Sequence, residues 1–247
     1  PGNHDSADRL GFGARLLSNR LHIASGLARA CQPVVVEDQH GPIEIFGLPF
    51  LEPARVREFI GDDEIRTQHE ATRAMVDKIA TTQTTARSVL VAHAFVQGGQ
   101  ISESERPLSI GGLDTVDASV FAPFSYVALG HLHRPQAIGQ PHIQYAGSPL
   151  KYSTSEIDHN KSFTQIDMDA EGRCEIQRIP IVTGRNLVRL KGTIAHLLDV
   201  PQDAQPDDLI VAHLLDKGPI HDAMARLRSR WPNTVHIERS HVETTGT

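Results

Sequence analysis

The sequence contains few cysteines, few aromatic residues and no long apolar segment. Of its 247 residues only two are cysteines, and Cys31 and Cys174 lie far apart in the chain. This excludes a disulfide framework and a thiolate zinc site, and a reducing, cytoplasmic environment fits best. No run approaches the roughly 18 consecutive apolar residues that a membrane span needs, so a transmembrane protein is also excluded.

A basic surface is absent as well. The formal net charge is −6, and the acidic excess lies entirely in residues 1–184. A protein that coats nucleic acid nonspecifically needs a basic stripe that displaces counterions, and this composition does not favour one.

Histidine, by contrast, is abundant. The chain has 14 histidines, more than its eight Phe, three Tyr and one Trp together. Imidazole is a common metal ligand, so this excess raises the question of a metal site without settling it.

The order of apolar patterns predicts a mixed α/β fold. A hairpin is expected from two short apolar runs around a turn, an amphipathic helix from the 3.6-residue period over 64–80, and two strands covered on both faces from continuous apolar runs. Three later runs alternate in polarity and predict strands with one exposed face. The predicted segments are 33–37, 43–47, 64–80, 87–92, 126–129, 142–146, 162–168 and 174–182.

The carboxyl-terminal part predicts a second, smaller α/β unit after a break at 183–185. Strands and helices alternate there, which is typical of a parallel sheet. We therefore divide the chain into domains 1–184 and 185–247. The predicted strands are 187–190, 209–214 and 234–238, and the predicted helices are 194–198 and 219–230.

Three short motifs carry potential chemistry: Asn3-His4-Asp5, His93 after a strand, and His131-x-His133 after another strand. Sites in α/β folds lie where strands end, and side chains two residues apart in extended chain point to the same side. Imidazoles and an amide oxygen suit borderline divalent metals. Each motif alone also has an ordinary structural explanation as a turn or a hydrogen-bonded histidine; their occurrence together favours a site.

This ordered set resembles the later motifs of the calcineurin-like metallophosphoesterase superfamily, G-N-H-[DE], a lone His and G-H-x-H. The closer resemblance is to the SbcD family of nuclease subunits, and it extends from residue 1 to about residue 190. The segments that carry it are 1–6, 91–99, 102–106, 126–136 and 145–153. The resemblance implies a four-layer α-β-β-α metallophosphoesterase sandwich, with its first strands missing, followed by a small α/β capping domain.

The resemblance also implies a set of site residues. Asn3, His93, His131 and His133 would be ligands of two divalent metal ions, expected to be Mn²⁺. Such ions activate water for attack on a phosphodiester bond.

Beside these ligands, His4 would protonate the leaving oxygen or stabilise the transition-state charge, and Asp5 would orient His4. Arg134 and Lys151 are candidates for binding substrate phosphate.

The implied activity is that of a double-stranded DNA exonuclease and single-stranded DNA endonuclease in DNA repair, recombination and replication. The implied partners are DNA and the ATPase SbcC, in a heterotetramer with two copies of each subunit. The chain has no G-x-x-x-x-G-K-[ST] motif of its own, so ATP binding is expected in the partner.

The chain departs from the family pattern in one respect. The family's first motifs, Asp-x-His and Gly-Asp, precede G-N-H-D, whereas here only Pro1 precedes it. The sequence is therefore interpreted as amino-terminally incomplete, and we expect no manganese-dependent nuclease activity from it alone. Asp38-Gln39-His40 and Gly61-Asp62 mimic the missing motifs but are interpreted as a hairpin turn and the start of a surface helix.

Two other functions remain open at this stage. One is a different calcineurin-like phosphodiesterase or phosphatase, because the core motifs are shared across substrates and the net charge is acidic. The other is a non-catalytic scaffold subunit, which the missing carboxylates favour.

Overall fold

The computed structural model describes residues 1–14, 17, 21–105, 115–182, 184–199 and 207–239. It divides into two compact units: the first comprises Pro1–Leu150 and His159–Pro180, and the second comprises Lys151–Asp158 and the chain from Ile181 onward. The predicted boundary at residue 184 placed the segment Lys151–Asp158 in the first domain, whereas in the structure this segment belongs to the second unit. No helix within these ranges is long and apolar enough to cross a membrane.

The first unit is built on a mixed sheet. Its helices are α1 (Ala7–Gly11), α2 (Leu27–Ala30), α3 (Pro53–Ile60) and α4 (Gln68–Ala80). Its strands are β1 (Val34–Asp38), β2 (Gly41–Leu48), β3 (Ser88–His93), β4 (Phe95–Val96), β5 (Thr115–Val116), β6 (Tyr126–Gly130), β7 (Gln136–Ile138), β8 (Gln140–Tyr145), β9 (Ser162–Met168) and β10 (Cys174–Pro180).

The strand order of the main sheet is β1-β2-β3-β6-β8-β7. Strands β2, β3, β6 and β8 are parallel, and β1 and β7 are antiparallel to their neighbours. Strands β9 and β10 form a separate antiparallel hairpin, and β4 pairs with β5. The predicted mixed α/β class is thus confirmed.

The core lies between α4 and one face of the main sheet. Met75, Val76 and Ile79 of α4 are fully buried in the same cluster as Phe46 and Leu90. These helix residues recur at a spacing of three to four, and alternate residues of β2 and β3 face them, as the two periodicities require.

Strand β3 differs from its prediction, because its second face is only partly covered. Val91 is 47% exposed although it lies in an interior strand. It lines a cavity of about 590 Å³ together with Ile45, Ile23 and Ala24. The apolar run indicated a strand correctly, but it did not show how much of each face is packed.

The predicted helix 64–80 begins later than expected. Thr67 is its N-cap, and Thr67 and Glu70 form a reciprocal capping box, which satisfies two amide groups at the helix start. Gly61 instead ends α3, with a φ of 78° that favours glycine. The interpretation of 61–63 as an acidic helix start was therefore wrong, and α3 had not been predicted.

Asp38 is confirmed as a structural residue of the β1–β2 turn. Its carboxylate binds the buried Arg87 guanidinium through bonds of 2.8 and 2.6 Å. Arg87 also donates to the backbone oxygens of Gly41 and Asp169, so it ties the turn to the loop between β9 and β10.

The second unit contains a parallel sheet in the order β11-β12-β13. Its elements are β11 (Leu187–Gly192), α5 (Ile194–Asp199), β12 (Leu209–Leu214), α6 (Ala223–Arg230) and β13 (Thr234–Arg239). All three predicted strands and both helices are present, and α6 begins at 223 rather than 219. Residues 200–206, between α5 and β12, lie outside the described residues.

Each face of this small sheet is packed differently. Leu197, Ile210, Leu214 and Leu227 join the sheet to its two helices. On the other face, Ile157 of the segment Lys151–Asp158 packs with residues of β11 and β12. The segment thereby completes the core of the second unit.

Candidate metal and phosphodiester site

Two predicted ligands meet at the carboxyl ends of neighbouring parallel strands. His93 ends β3 and pairs in register with Gly130 at the end of β6, directly before His131. The two imidazole rings lie with their centroids 5.3 Å apart and their planes at 78°. The parallel register therefore explains why two histidines distant in sequence share one site.

Asn3 joins this pair from the amino-terminal turn. Its Oδ1 lies 3.0 Å from Nε2 of His93. The turn is anchored to the sheet, because the Phe50 amide donates to the Pro1 carbonyl over 2.9 Å. A Cβ on Gly2 would stand 2.7 Å from Cε1 of His93, so only glycine allows this close approach.

Both imidazoles are in the neutral form near pH 7. Burial, followed by the nearby His131, lowers the pKa of His93 to about 4. Burial also lowers the pKa of His131, partly opposed by the Glu105 carboxylate. A neutral ring keeps a lone pair for a metal ion, so the environment favours the ligating form.

The backbone at His131 is strained, with a φ of 118°. Non-glycine residues rarely adopt positive φ, and such strain persists only where the surroundings hold it. Two residues later, His133 places Nδ1 3.2 Å from the Ser104 hydroxyl. The structure thus brings Asn3, His93 and His131 together. The ring of the fourth predicted ligand, His133, contacts the Ser104 hydroxyl.

The predicted catalytic pair lies beside this group. His4 is exposed, and it is near enough to lower the pKa values of His93 and His131 electrostatically. Asp5 accepts a hydrogen bond of 2.6 Å from the Gly2 amide and so closes the turn. Its predicted role in orienting His4 stays a prediction.

The two predicted phosphate-binding residues have different surroundings. Arg134 follows His133 and donates from Nη1 to Gln100 over 2.7 Å. Lys151 lies in the second unit, and its ammonium group donates to the carbonyl oxygens of Ile157 and Leu187. Substrate binding by either residue stays a prediction, and for Lys151 it competes with these two bonds.

The donor set fits one side of a metal centre only. Two neutral imidazoles and an amide oxygen converge, but no group of three or more His, Cys, Asp or Glu side chains suited to a metal occurs in the described ranges. Two dications in one site normally need carboxylates to offset their charge. The described residues therefore do not form a complete binuclear centre.

Sequence reasoning missed the residues that hold the site in place. Tyr145 is fully buried; its hydroxyl accepts from the Val96 amide and donates to the Ala94 carbonyl, which fixes the chain after His93. Glu105 accepts from the His133 amide. Both residues stand in segments that carry the resemblance, 102–106 and 145–153, but they bond to backbone groups, so the sequence did not show their role.

Two comparisons show which known proteins this chain resembles. Residues 183–247 match the SbcD_C family, described as the type 5 capsule protein repressor C-terminal domain. The chain is 29% identical over 239 residues, 96% of its length, to a Staphylococcus epidermidis protein named as the SbcD component of the SbcCD nuclease. It spans 63% of the length of that relative. The predicted resemblance to SbcD is confirmed.

Proposed function

We propose that this chain is part of the nuclease subunit of an SbcCD-type complex and hydrolyses phosphodiester bonds in DNA together with the ATPase SbcC. The observation that carries this proposal is the convergence of Asn3, His93 and His131 at the edge of the parallel sheet. The similarity over 96% of the chain to a protein named as a nuclease component supports it.

The proposed activities are double-stranded exonuclease and single-stranded endonuclease cleavage at DNA ends and hairpins, in DNA repair, recombination and replication. The proposed assembly is a cytoplasmic heterotetramer with two copies of each subunit. The acidic composition supports an assembly in which the partner provides much of the DNA affinity. A subunit with a net charge of −6 has little nonspecific attraction to DNA phosphates of its own.

The chain's own residues have distinct proposed roles. Asn3, His93, His131 and His133 hold divalent cations, for which we propose two Mn²⁺ ions; when bound, such ions neutralise phosphate charge and lower the pKa of water. Exposed His4 donates a proton to the leaving oxygen, which fits its position beside the partly buried imidazoles. Arg134 uses one guanidinium N–H on Gln100 and has others with which to bind phosphate.

A non-catalytic scaffold role is the second candidate. It is favoured by the lack of a carboxylate among the converging side chains of the described residues. The two candidates differ in what the complete gene product does with Mn²⁺ and DNA.

The test uses the full-length product of the gene that encodes this chain, alone and with its ATPase partner. Labelled linear and hairpin DNA are incubated with MnCl₂, and cleavage is followed on gels. We expect cleavage that His131→Ala reduces by about 100-fold or more, because removing a ligand should cost at least as much as removing a group that supports one. His236→Ala, which alters an exposed histidine in the second unit, should leave cleavage unchanged.

Full-length protein that binds DNA without cleaving it under any metal condition would favour the scaffold role. In the same assay the 247-residue chain alone is expected to be inactive; robust cleavage by it, abolished by His131→Ala, would contradict that expectation.

A further inference from the structure

We propose that Glu105 is the positioning residue of the His131-x-His133 segment, acting through the backbone rather than as a metal ligand. The consequence for metal binding rests on the function proposed above, whereas the anchoring itself does not. Glu105 lies 28 residues before His133 in sequence and is 8% exposed.

Both oxygens of the Glu105 carboxylate bind backbone amides. Oε1 accepts from the His133 amide, and Oε2 accepts from the Ser102 amide. The Glu105 amide donates back to the Ser102 carbonyl over 3.1 Å, which closes the turn that carries the carboxylate. A carboxylate offers only acceptors, so it satisfies two opposed N–H groups that no neutral side chain of this shape could satisfy together.

The segment after β6 needs such an anchor because the ladder between β3 and β6 ends at Gly130. Beyond it, the polar groups of His133 are held by other contacts. Its carbonyl accepts from Lys161 over 2.9 Å and from the Ser148 amide over 3.1 Å, and Ser104 contacts its ring. The Glu105 carboxylate supplies the partner of the remaining backbone group, the N–H.

The strain at His131 gives this anchor a functional consequence. A residue with φ of 118° relaxes toward ordinary backbone angles unless both flanks are fixed. Pairing of Gly130 with His93 fixes the first flank, and the bond from His133 to Glu105 fixes the second. Relaxation of the turn would move the His131 ring away from His93, so Glu105 maintains the spacing of the two imidazoles.

The test compares Glu105→Gln with Glu103→Gln in the full-length protein. Glutamine keeps the shape of glutamate but has a single acceptor oxygen, so it loses one of the two amides. Glu103 lies in the same turn and is exposed, so its substitution makes the same charge change without touching the anchor.

Hydrogen exchange of the His133 amide and calorimetric titration with Mn²⁺ alone are the readouts. For Glu105→Gln we expect about tenfold faster exchange at His133 and about tenfold weaker Mn²⁺ binding, the lower end of the loss seen when a supporting group is removed. In cleavage assays kcat falls while KM is unchanged. Glu103→Gln should match the wild type in all three measurements.

The exchange and Mn²⁺-binding results test two statements separately: that Glu105 anchors the His133 amide, and that the protein has the proposed metal-dependent function. Unchanged His133 exchange in Glu105→Gln overturns the proposal. Faster exchange in Glu105→Gln, where the wild type binds no Mn²⁺, supports the anchor and contradicts the proposed function. If Glu105→Gln does not fold, Glu105→Asp keeps the charge but is one methylene too short to reach both amides, and the same exchange criterion applies to it.

Discussion

His93 and His131 are close together because His93 ends one parallel strand and His131 directly follows its neighbour. Both are neutral because their partial burial lowers their pKa values. Two charged imidazoles at this distance would repel each other and any cation. The site therefore depends on close backbone packing that keeps water away from the rings, and glycines provide that packing.

Gly2→Ala tests this dependence. The new Cβ would stand 2.7 Å from the His93 ring, so either the ring or the turn that carries Asn3 must move. We expect Mn²⁺ affinity of the full-length protein to fall roughly tenfold, as for loss of a supporting contact at a metal site. Calorimetric titration measures it.

The matched control is Gly26→Ala. A Cβ there meets no atom within 4 Å, and the backbone is extended. Equal Mn²⁺ affinity in the two variants would contradict the packing argument.

The sequence predicted which residues form the candidate site, but it did not predict which residues hold them in position. Asn3, His93 and His131 stand in motifs, so their types and order were informative. Tyr145 and Glu105 act on amide and carbonyl groups. Every residue has a carbonyl and nearly every residue an amide N–H, and only the folded chain shows which ones meet a side chain.

At the scale of elements, the predicted strands are all present, although the short strands β4, β5 and β7 were not predicted; the start of α5 was predicted correctly, but the starts of α4 and α6 were not. The predicted bounds 162–168 and 209–214 agree with those of β9 and β12, and in β9 exposed residues alternate with less exposed ones along the strand. Periodicity alone could not place the start of α4, which Thr67 and Glu70 determine through hydrogen bonds. Helix α3 was missed because its eight residues bury only Val56.

The β1–β2 turn allows a prediction of pH dependence. The hydrogen bond from Arg87 holds the pKa of Asp38 at about 2, below its ordinary value of 3.8. A lowered carboxyl pKa stabilises the fold above the unfolded-state value, and this stabilisation is lost as pH falls from about 4 toward 2. Asp38→Asn should be less stable than wild type near neutral pH, with the difference shrinking over that window.

Urea unfolding at a series of pH values measures this difference. Asp8→Asn serves as the control, because the Asp8 side chain is 88% exposed and its ion pair with Arg55 is long, at 3.8 Å. A difference between Asp38→Asn and wild type that stays constant down to about pH 2 would show that the Arg87 pair does not depend on the charge of Asp38.

At the scale of the whole molecule, each unit has its own core. Trp231 is 5% exposed in the second core, and its indole N–H donates to the Leu197 carbonyl over 2.9 Å. Trp231→Ala should destabilise this unit by about 3–5 kcal/mol, the usual cost of emptying a buried aromatic site.

Hydrogen exchange of peptides from 187–239 measures that loss. Arg230→Ala removes only the cation above the same ring, 4.4 Å from its centroid, and should cost about 0.5–1 kcal/mol. Equal effects of the two substitutions would contradict the assignment of Trp231 to the core.

The segment Lys151–Asp158 has a consequence for synthesis on the ribosome. Domains generally fold in the order in which they emerge, the amino-terminal one first. Here Ile157 and Asp158 leave the ribosome before β9 and β10, yet their contacts Leu187, Val211 and Arg189 are translated later. During synthesis this segment therefore stays without its final contacts while β9 and β10 are made. The core of the second unit can form only after β12 has been synthesised.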